Sequence, residues 1–416
     1  MTMQIKIEAD QLWNELDKLA TFSDTPAPSV TRILFTDNDV KARDYFKSLA
    51  REAGFEVRED PIGNIFVRFS GSEKNLPAVG TGSHCDAVPY AGRYDGTVGV
   101  FAGLEALRAL KKSGFSPKRP LEVVFFTSEE PTRFGLGCIG SRLMSGAMDL
   151  NRLGQLRDKD GKSVDEARKS AGYDGDLTQV KLPEKYYDYF VELHIEQGPV
   201  LEREKKQIGA VTAIAAPASF RIQITGEGGH AGGVLMPARR DALVPCAILT
   251  QELERLARES SSPDSVGTVG VVKVHPGAIN SIPANVTMEM DIRDTQLKTR
   301  DEIVEKILAK ARQLEKERNV KMEIETINSD PPAISNETIL GSIEASCTET
   351  SLSHMRLVSR AYHDSLFMAR IAPMGMIFIP SRGGVSHRAD EFSSKEEIAQ
   401  GAEILARTMA RLSLQA

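Results

Sequence analysis

Residues 84–96, HCDAVPYAGRYDG, crowd one histidine and two aspartates among small and turn-forming residues. Side chains two apart in a strand project to the same side, so the Asp86 carboxylate is expected to hold the far ring nitrogen of His84 and turn the other toward a cation. Asp95 follows in a glycine-flanked turn at the start of a helix. Residues 125–135, FFTSEEPTRFG, carry Glu129 and Glu130 at the end of an apolar strand. Neighbouring strand residues point to opposite sides, which lets one carboxylate bind a metal while the other handles a proton. His194 alternates with Glu192 and Glu196 in FVELHIEQG, and His387 follows a further apolar strand in SRGGVSHRADE. Taken singly, each has a plain structural explanation: an aspartate orienting a core histidine, or a solvated acidic turn. Four strand ends that together deliver His, Asp, Glu, His and His point to a metal centre.

Such a centre needs a scaffold that brings distant segments together. From Phe55 to Arg133 short β-rich runs alternate with a long helical pattern that begins near Thr97 and is stopped by Gly114 after Lys111-Lys112. The runs AVGTGS and EVVFFT lack polar alternation, as expected of central strands buried on both faces, and open α/β sheets bind ligands at the carboxyl ends of such strands. From about Val211 to Asp330 the strands alternate apolar and polar residues, with long helices near Ala242–Glu259 and Asp301–Arg318. That describes an inserted α+β module whose sheet is covered on one face. After Pro331-Pro332 the α/β pattern returns with MGMIFIPS, and Ser394 with Glu397 forms a capping box for a last helix. The expected fold is α/β in two domains. An α/β/α domain with a mixed sheet takes residues 1–210 and 331–416, and an α+β insertion, a four-stranded antiparallel sheet with two helices, takes 211–330.

Composition removes several classes. A chain of 416 residues exceeds what one hydrophobic core usually serves. Its four cysteines are scattered without a CxxC pair, against both a disulfide framework and a thiolate zinc site. The formal net charge of −6 comes without a long basic run, so nucleic acid is not an expected partner. The N-terminal stretch MTMQIKIEADQLWNELDKLATF becomes an amphipathic helix and lacks the apolar core of a signal peptide or membrane span, so no membrane association and a cytoplasmic address are expected.

The ordered set His84-x-Asp86, Tyr94-Asp95-Gly96, Glu129-Glu130-Pro131, Glu192-x-His194-x-Glu196-Gln197-Gly198 and Ser386-His387 resembles the hydantoinase/carbamoylase branch of the M20 metallopeptidase-like amidohydrolases over essentially the whole chain. Related M20 peptidases carry a carboxylate where this branch has His194. The resemblance implies a dinuclear site in which His84 and His194 serve one metal, Glu130 and His387 the other, Asp95 bridges both, and Glu129 is the catalytic base. Asp86 then sits behind His84. A bridging carboxylate holds two dications about 3.5–4 Å apart and eases deprotonation of a water between them. Mixed nitrogen and oxygen ligation suits Mn²⁺ or Zn²⁺ rather than Ca²⁺. By resemblance manganese is favoured, with zinc, cobalt and nickel as alternatives. The insertion is implied to be a lid and dimerisation domain. From it His230 and Asn280 would reach the active site of the other subunit of a homodimer, with His230 acting in catalysis, while Arg293 clamps a substrate carboxylate. Gln197 would orient a ureido group.

Members of this branch act on N-carbamoyl amino acids, allantoate or ureidoglycolate, which all place a carboxylate beside a ureido or amidine-like nitrogen. Most carry a glycine-rich stretch before a His-Asp pair, where this chain has Ala361-Tyr362-His363-Asp364-Ser365. Tyr362 adds volume and a hydroxyl, which would shorten a pocket for a small hydroxylated substrate, and His363 is expected beside it. This arrangement resembles plant-type members that hydrolyse ureidoglycolate. The expected reaction is hydrolysis of (S)-ureidoglycolate to glyoxylate, ammonia and carbon dioxide in purine and allantoin degradation. The alternative is an N-carbamoyl-L-amino-acid or allantoate amidohydrolase of the same fold. Two departures from the plant members are expected: Ser381 at a cysteine position, and no leader of the kind that directs them to the endoplasmic reticulum.

Overall fold

The computed structural model describes residues 5–415. Contacts divide the chain into two units: one takes the chain up to Thr212, Ile334–Ser359 and everything from His363 on, and the other takes Ala213–Ala333 with the tripeptide Arg360–Tyr362.

The larger unit is built on a nine-stranded mixed sheet. At its centre lie four neighbouring parallel strands, in the order Met374–Ile379, Tyr187–Ile195, Ala78–His84 and Leu121–Phe126. Antiparallel strands flank them, Ile208–Ile214 on one side and Ile65–Phe69 then Glu56–Glu59 on the other. Along Leu121–Phe126 the odd residues Val123 and Phe125 enter one apolar cluster while Val124 and Phe126 enter another. Burial on both faces explains why these strands show no polar alternation. The helix Thr97–Lys112 is buried at every residue from Thr97 to Leu110, packed on the sheet beside the C-terminal helix Lys395–Ser413, which also lies on it. That last helix opens with the capping box of Ser394 and Glu397.

The smaller unit holds a four-stranded antiparallel sheet in the order Val266–His275, Asn285–Asp294, Ala216–Thr225, Lys321–Ser329. Alternate residues Val286, Met288, Met290 and Ile292 face the helices Leu243–Arg258 and Leu297–Glu317, where Leu249, Leu253, Ile303 and Ile307 meet them. Each such buried side chain contributes roughly 1.5–3 kcal/mol of transfer free energy. The second helix starts four residues before the expected Asp301, and Thr299 and Arg300 in its added turn are buried with Ile303 and Ile307.

Candidate active site

Because the four central strands are parallel neighbours, their carboxyl ends open onto one edge of the sheet. His84 is the last residue of Ala78–His84, and His194 is the penultimate residue of Tyr187–Ile195. Glu129 and Glu130 follow Leu121–Phe126, and His387 follows Met374–Ile379 across a glycine turn. Asp95 lies two residues before the helix Thr97–Lys112, and a Cβ at Gly96 would fall 2.4 Å from His84 Nε2. At φ 65° and ψ −42° this position also lies outside the left-handed well that other residues can enter, so only glycine lets the Asp95 turn approach the imidazole.

Asp95 joins two groups of candidate ligands. His84, Asp95 and His194 form one set and Asp95, Glu130 and His387 another, with donor atoms in each set within 4.8 Å of one another. The two oxygens divide the work: Oδ1 lies 3.2 Å from His194 Nε2 and 3.7 Å from His84 Nε2. Oδ2 lies 3.0 Å from His387 Nε2 and accepts from the Gln197 amide at 2.9 Å. His84 Nδ1 is paired with the carbonyl oxygen of Asp86 at 3.0 Å and His194 Nδ1 with that of Ile195 at 2.9 Å. Such pairing puts the ring proton on Nδ1 and leaves Nε2 as a lone-pair donor, the tautomer a metal ligand needs. Imidazole nitrogens mixed with carboxylate oxygens fit a transition-metal dication.

Asp86 corrects the expectation made for it. The chain leaves the strand after His84, so period-two geometry no longer applies. It is the carbonyl, not the carboxylate, that anchors the His84 ring; Oδ1 stands 3.6 Å from Nδ1. The carboxylate instead accepts the backbone N–H of Glu129 at 3.3 Å and of Glu130 at 3.0 Å, and so fastens the acidic loop to the histidine strand. The two glutamates diverge through this loop, where Ser128 has φ 61°, rather than through strand pleating. Glu130 Oε1 points to His387 Nε2 at 3.5 Å. Glu129 Oε2 stands 3.9 Å from His84 Nε2, and its Oε1 accepts from Cys138 Sγ at 3.7 Å.

Electrostatics follow from this crowding. Burial opposes charge on Asp95, but the imidazoles of His194, His387 and His84 packed against it outweigh this and hold the carboxyl well below its usual range. The hydrogen bond to Asp95 raises His387 to about 9. Burial pushes Glu129 well above the ordinary glutamate value, and pushes Glu130 up to about 7 with help from the Asp95 charge.

His363 is also corrected. It is 2 % exposed, lies edge-on to the His194 ring with centroids 4.6 Å apart, and pairs Nε2 with Ser359 Oγ at 2.9 Å. It is buried behind the His194 ring. Glu192 is likewise structural: its oxygens accept from Ser83 Oγ and Ser365 N, while Glu196 caps Val200 and Leu201. Glu192, His194 and His363 do form a third set of close donor atoms, but these hydrogen bonds already occupy Glu192 and His363. Gln197, at φ 55°, reaches Asp95 and Ser386 through its amide nitrogen, and its buried Oε1 has no hydrogen-bond partner among the described residues.

Within the smaller unit, His230 and Asn280 come together at a two-stranded ladder of Gly229–His230 and Ser281–Ile282, where Ala231 N–H donates to Asn280 O. Both are exposed. Gly232 N–H donates to His230 Nδ1, so the neutral ring carries its proton on Nε2. Arg293 sits near the end of Asn285–Asp294, its Nε bonded to Asp291 and one terminal nitrogen to Arg360 O. The Tyr362 hydroxyl donates to Asp330 Oδ2 at 2.7 Å. Two residues escape a sequence reading: Cys138, in the glycine-rich loop just past Glu129 and Glu130, and Glu391, in the polar stretch after His387 that carries no periodic signal.

The family model for peptidase family M20/M25/M40 matches residues 80–411. The chain is 52% identical to a ureidoglycolate hydrolase of Arabidopsis thaliana, over 100% of this chain and 88% of that one. Among solved structures it is similar to AtUAH in complex with (S)-hydroxyglycine, at TM-score 0.90, 51% identity and 99% coverage of both chains. It also resembles an amidase of the hydantoinase/carbamoylase family from Burkholderia vietnamiensis, at TM-score 0.90, 32% identity and full coverage of both chains. The chain is therefore a hydrolase that belongs to the M20 family, on the branch of the hydantoinase/carbamoylase amidases.

Proposed function

We propose that the chain is a ureidoglycolate amidohydrolase, which hydrolyses (S)-ureidoglycolate to glyoxylate, ammonia and carbon dioxide in allantoin breakdown. It would use two divalent cations, manganese favoured, with His84 and His194 on one, Glu130 and His387 on the other and Asp95 between. The observation that carries the chemistry is the division of Asp95, one oxygen toward each set of imidazoles. Full-length similarity to a ureidoglycolate hydrolase supports the substrate.

Bound in this cradle, the cations would supply Lewis acidity toward the ureido carbonyl and ease deprotonation of the attacking water. Glu129, raised by burial, takes that proton and returns it to the departing nitrogen as ammonia leaves. The carbamate that remains loses carbon dioxide, and the hydroxyglycine-type product decays to glyoxylate and a second ammonia. Gln197 Oε1 offers an acceptor for a ureido N–H. Arg293 binds the substrate carboxylate in exchange for part of its pairing with Asp291. Tyr362, tied to Asp330, limits substrate size. His230, with Nε2–H directed outward, and Asn280 stabilise the tetrahedral oxyanion from the partner subunit of a homodimer, an effect of about 3–4 kcal/mol per donor.

The test is ammonia release from ureidoglycolate, allantoate and N-carbamoyl-L-amino acids by protein that has been chelated and then restored with manganese. Ureidoglycolate should be the preferred substrate, with no turnover before restoration. Preference for either of the other substrates would replace this reading with the alternative amidohydrolase, and full activity of the chelated protein would end it.

A further inference from the structure

Glu391 lies four residues past His387 in the polar stretch HRADE, yet it is only 4 % exposed. Its Oε1 accepts the backbone N–H of Tyr94 at 2.9 Å and of Asp95 at 3.1 Å. Its Oε2 accepts from Ser386 Oγ at 3.0 Å. One carboxylate thus joins two turns almost three hundred residues apart, one bearing Asp95 and the other His387. The Gln197 amide completes the junction by donating to both Asp95 Oδ2 and Ser386 Oγ. The enclosure is tight. A Cβ at Gly92 would fall 2.4 Å from both Cβ and Oε1 of Glu391, so the Tyr94–Asp95 turn reaches this carboxylate only because residue 92 has no side chain.

Elsewhere the His387 turn is held upstream of that residue, where Arg382 N–H donates to Phe392 O and Gly383 N–H to Glu202 Oε2. His387 itself is half exposed, has φ 56°, and is preceded by the short Arg382–Gly384 turn with two glycines at positive φ. A ligand on such a turn is held in place only as firmly as its neighbours allow. We propose that Glu391 is a positioning residue that locks the Asp95 turn to the His387 turn, so that Asp95 Oδ2, Glu130 and His387 form a preorganised cation site. The inference rests on the dinuclear reading above. Partners behind metal ligands of this kind are typically worth 10–100-fold in metal affinity.

The experiment is calorimetric titration of the chelated full-length protein with Mn²⁺, without substrate. The wild type should take two ions. Glu391→Ala should weaken one of them by about 10–100-fold and leave the other little changed. Glu391→Gln keeps a carbonyl oxygen for the two backbone N–H groups and should recover most of the loss. Gly92→Ala, which pushes a methyl group against the carboxylate, should weaken the same ion, and it keeps the proposal open to refutation if Glu391→Ala fails to fold. Two ions bound by Glu391→Ala or by Gly92→Ala at wild-type affinity would overturn the tether. Equal weakening of both ions in Glu391→Ala would also overturn it, because a general loss of structure would be the cause. A wild type that binds fewer than two ions would instead bring down the dinuclear reading.

Discussion

Asp95 and Glu129 are both buried carboxylates, and what separates them is their neighbours. Asp95 meets imidazole nitrogens at both oxygens and stays ionised; Glu129 has one weak thiol donor and one distant imidazole, so burial dominates and it holds a proton more readily. Glu129→Gln preserves shape and removes the proton acceptor. Turnover should fall by about 10²–10⁴-fold while manganese binding is kept, as single-turnover assay and metal analysis would report. An active variant would transfer the role of base elsewhere. The raised His387, at about 9, sets a second expectation. In the metal-free protein near pH 7 this ring is protonated, so a cation must displace its proton. Manganese affinity should therefore rise as pH rises toward 9, with proton release visible in calorimetry across buffers of different ionisation enthalpy. The sign for the metal-free fold is opposite. A group raised from 6.5 to about 9 contributes stability below pH 6.5 and loses it as pH climbs through 9. Affinity that is flat between pH 7 and 9 would refute the pairing of His387 with Asp95.

At the scale of elements, the strand ends were legible because buried parallel strands announce themselves as unbroken apolar runs and the candidate ligands follow them directly. The loops after those ends were not. Asp86 was expected to use its carboxylate on His84, yet the chain turns there and the carboxylate holds the backbone of Glu129 and Glu130 instead. Turn geometry depends on what the turn packs against, which residue spacing does not encode. Gly96→Ala tests this packing. Its Cβ has no room beside the His84 ring, and a non-glycine residue at positive φ costs about 1–3 kcal/mol by itself. The variant should melt at lower temperature and bind manganese weakly. Normal binding with a normal melt would mean that the Asp95 turn is free to move away from His84.

At the scale of the whole molecule, the two units have separate cores, and each can be read from its own pattern: unbroken strands in the larger, alternating strands in the smaller. Among the described residues no helix is long and apolar enough to cross a membrane. If His230 and Asn280 act across a dimer, two inactive proteins should complement one another. Co-refolded Glu129→Gln and His230→Ala chains should recover about a quarter of wild-type activity, since random pairing makes half the dimers mixed and each mixed dimer has one intact site. No recovery in a mixture that demonstrably contains mixed dimers would place His230 in the same subunit as the base.

By itself the sequence determined the α/β pattern, the inserted module and the identity of the imidazoles and carboxylates at the strand ends, because periodicity and strand-end position are local properties. Only the tertiary structure decided that Asp95 faces two sets of candidate ligands with separate oxygens, that His363 backs His194, and that Glu391 ties together two distant turns. Those are contacts between segments tens to hundreds of residues apart. They arise when burial forces each polar atom to find a partner, and no local pattern records which partner it will be.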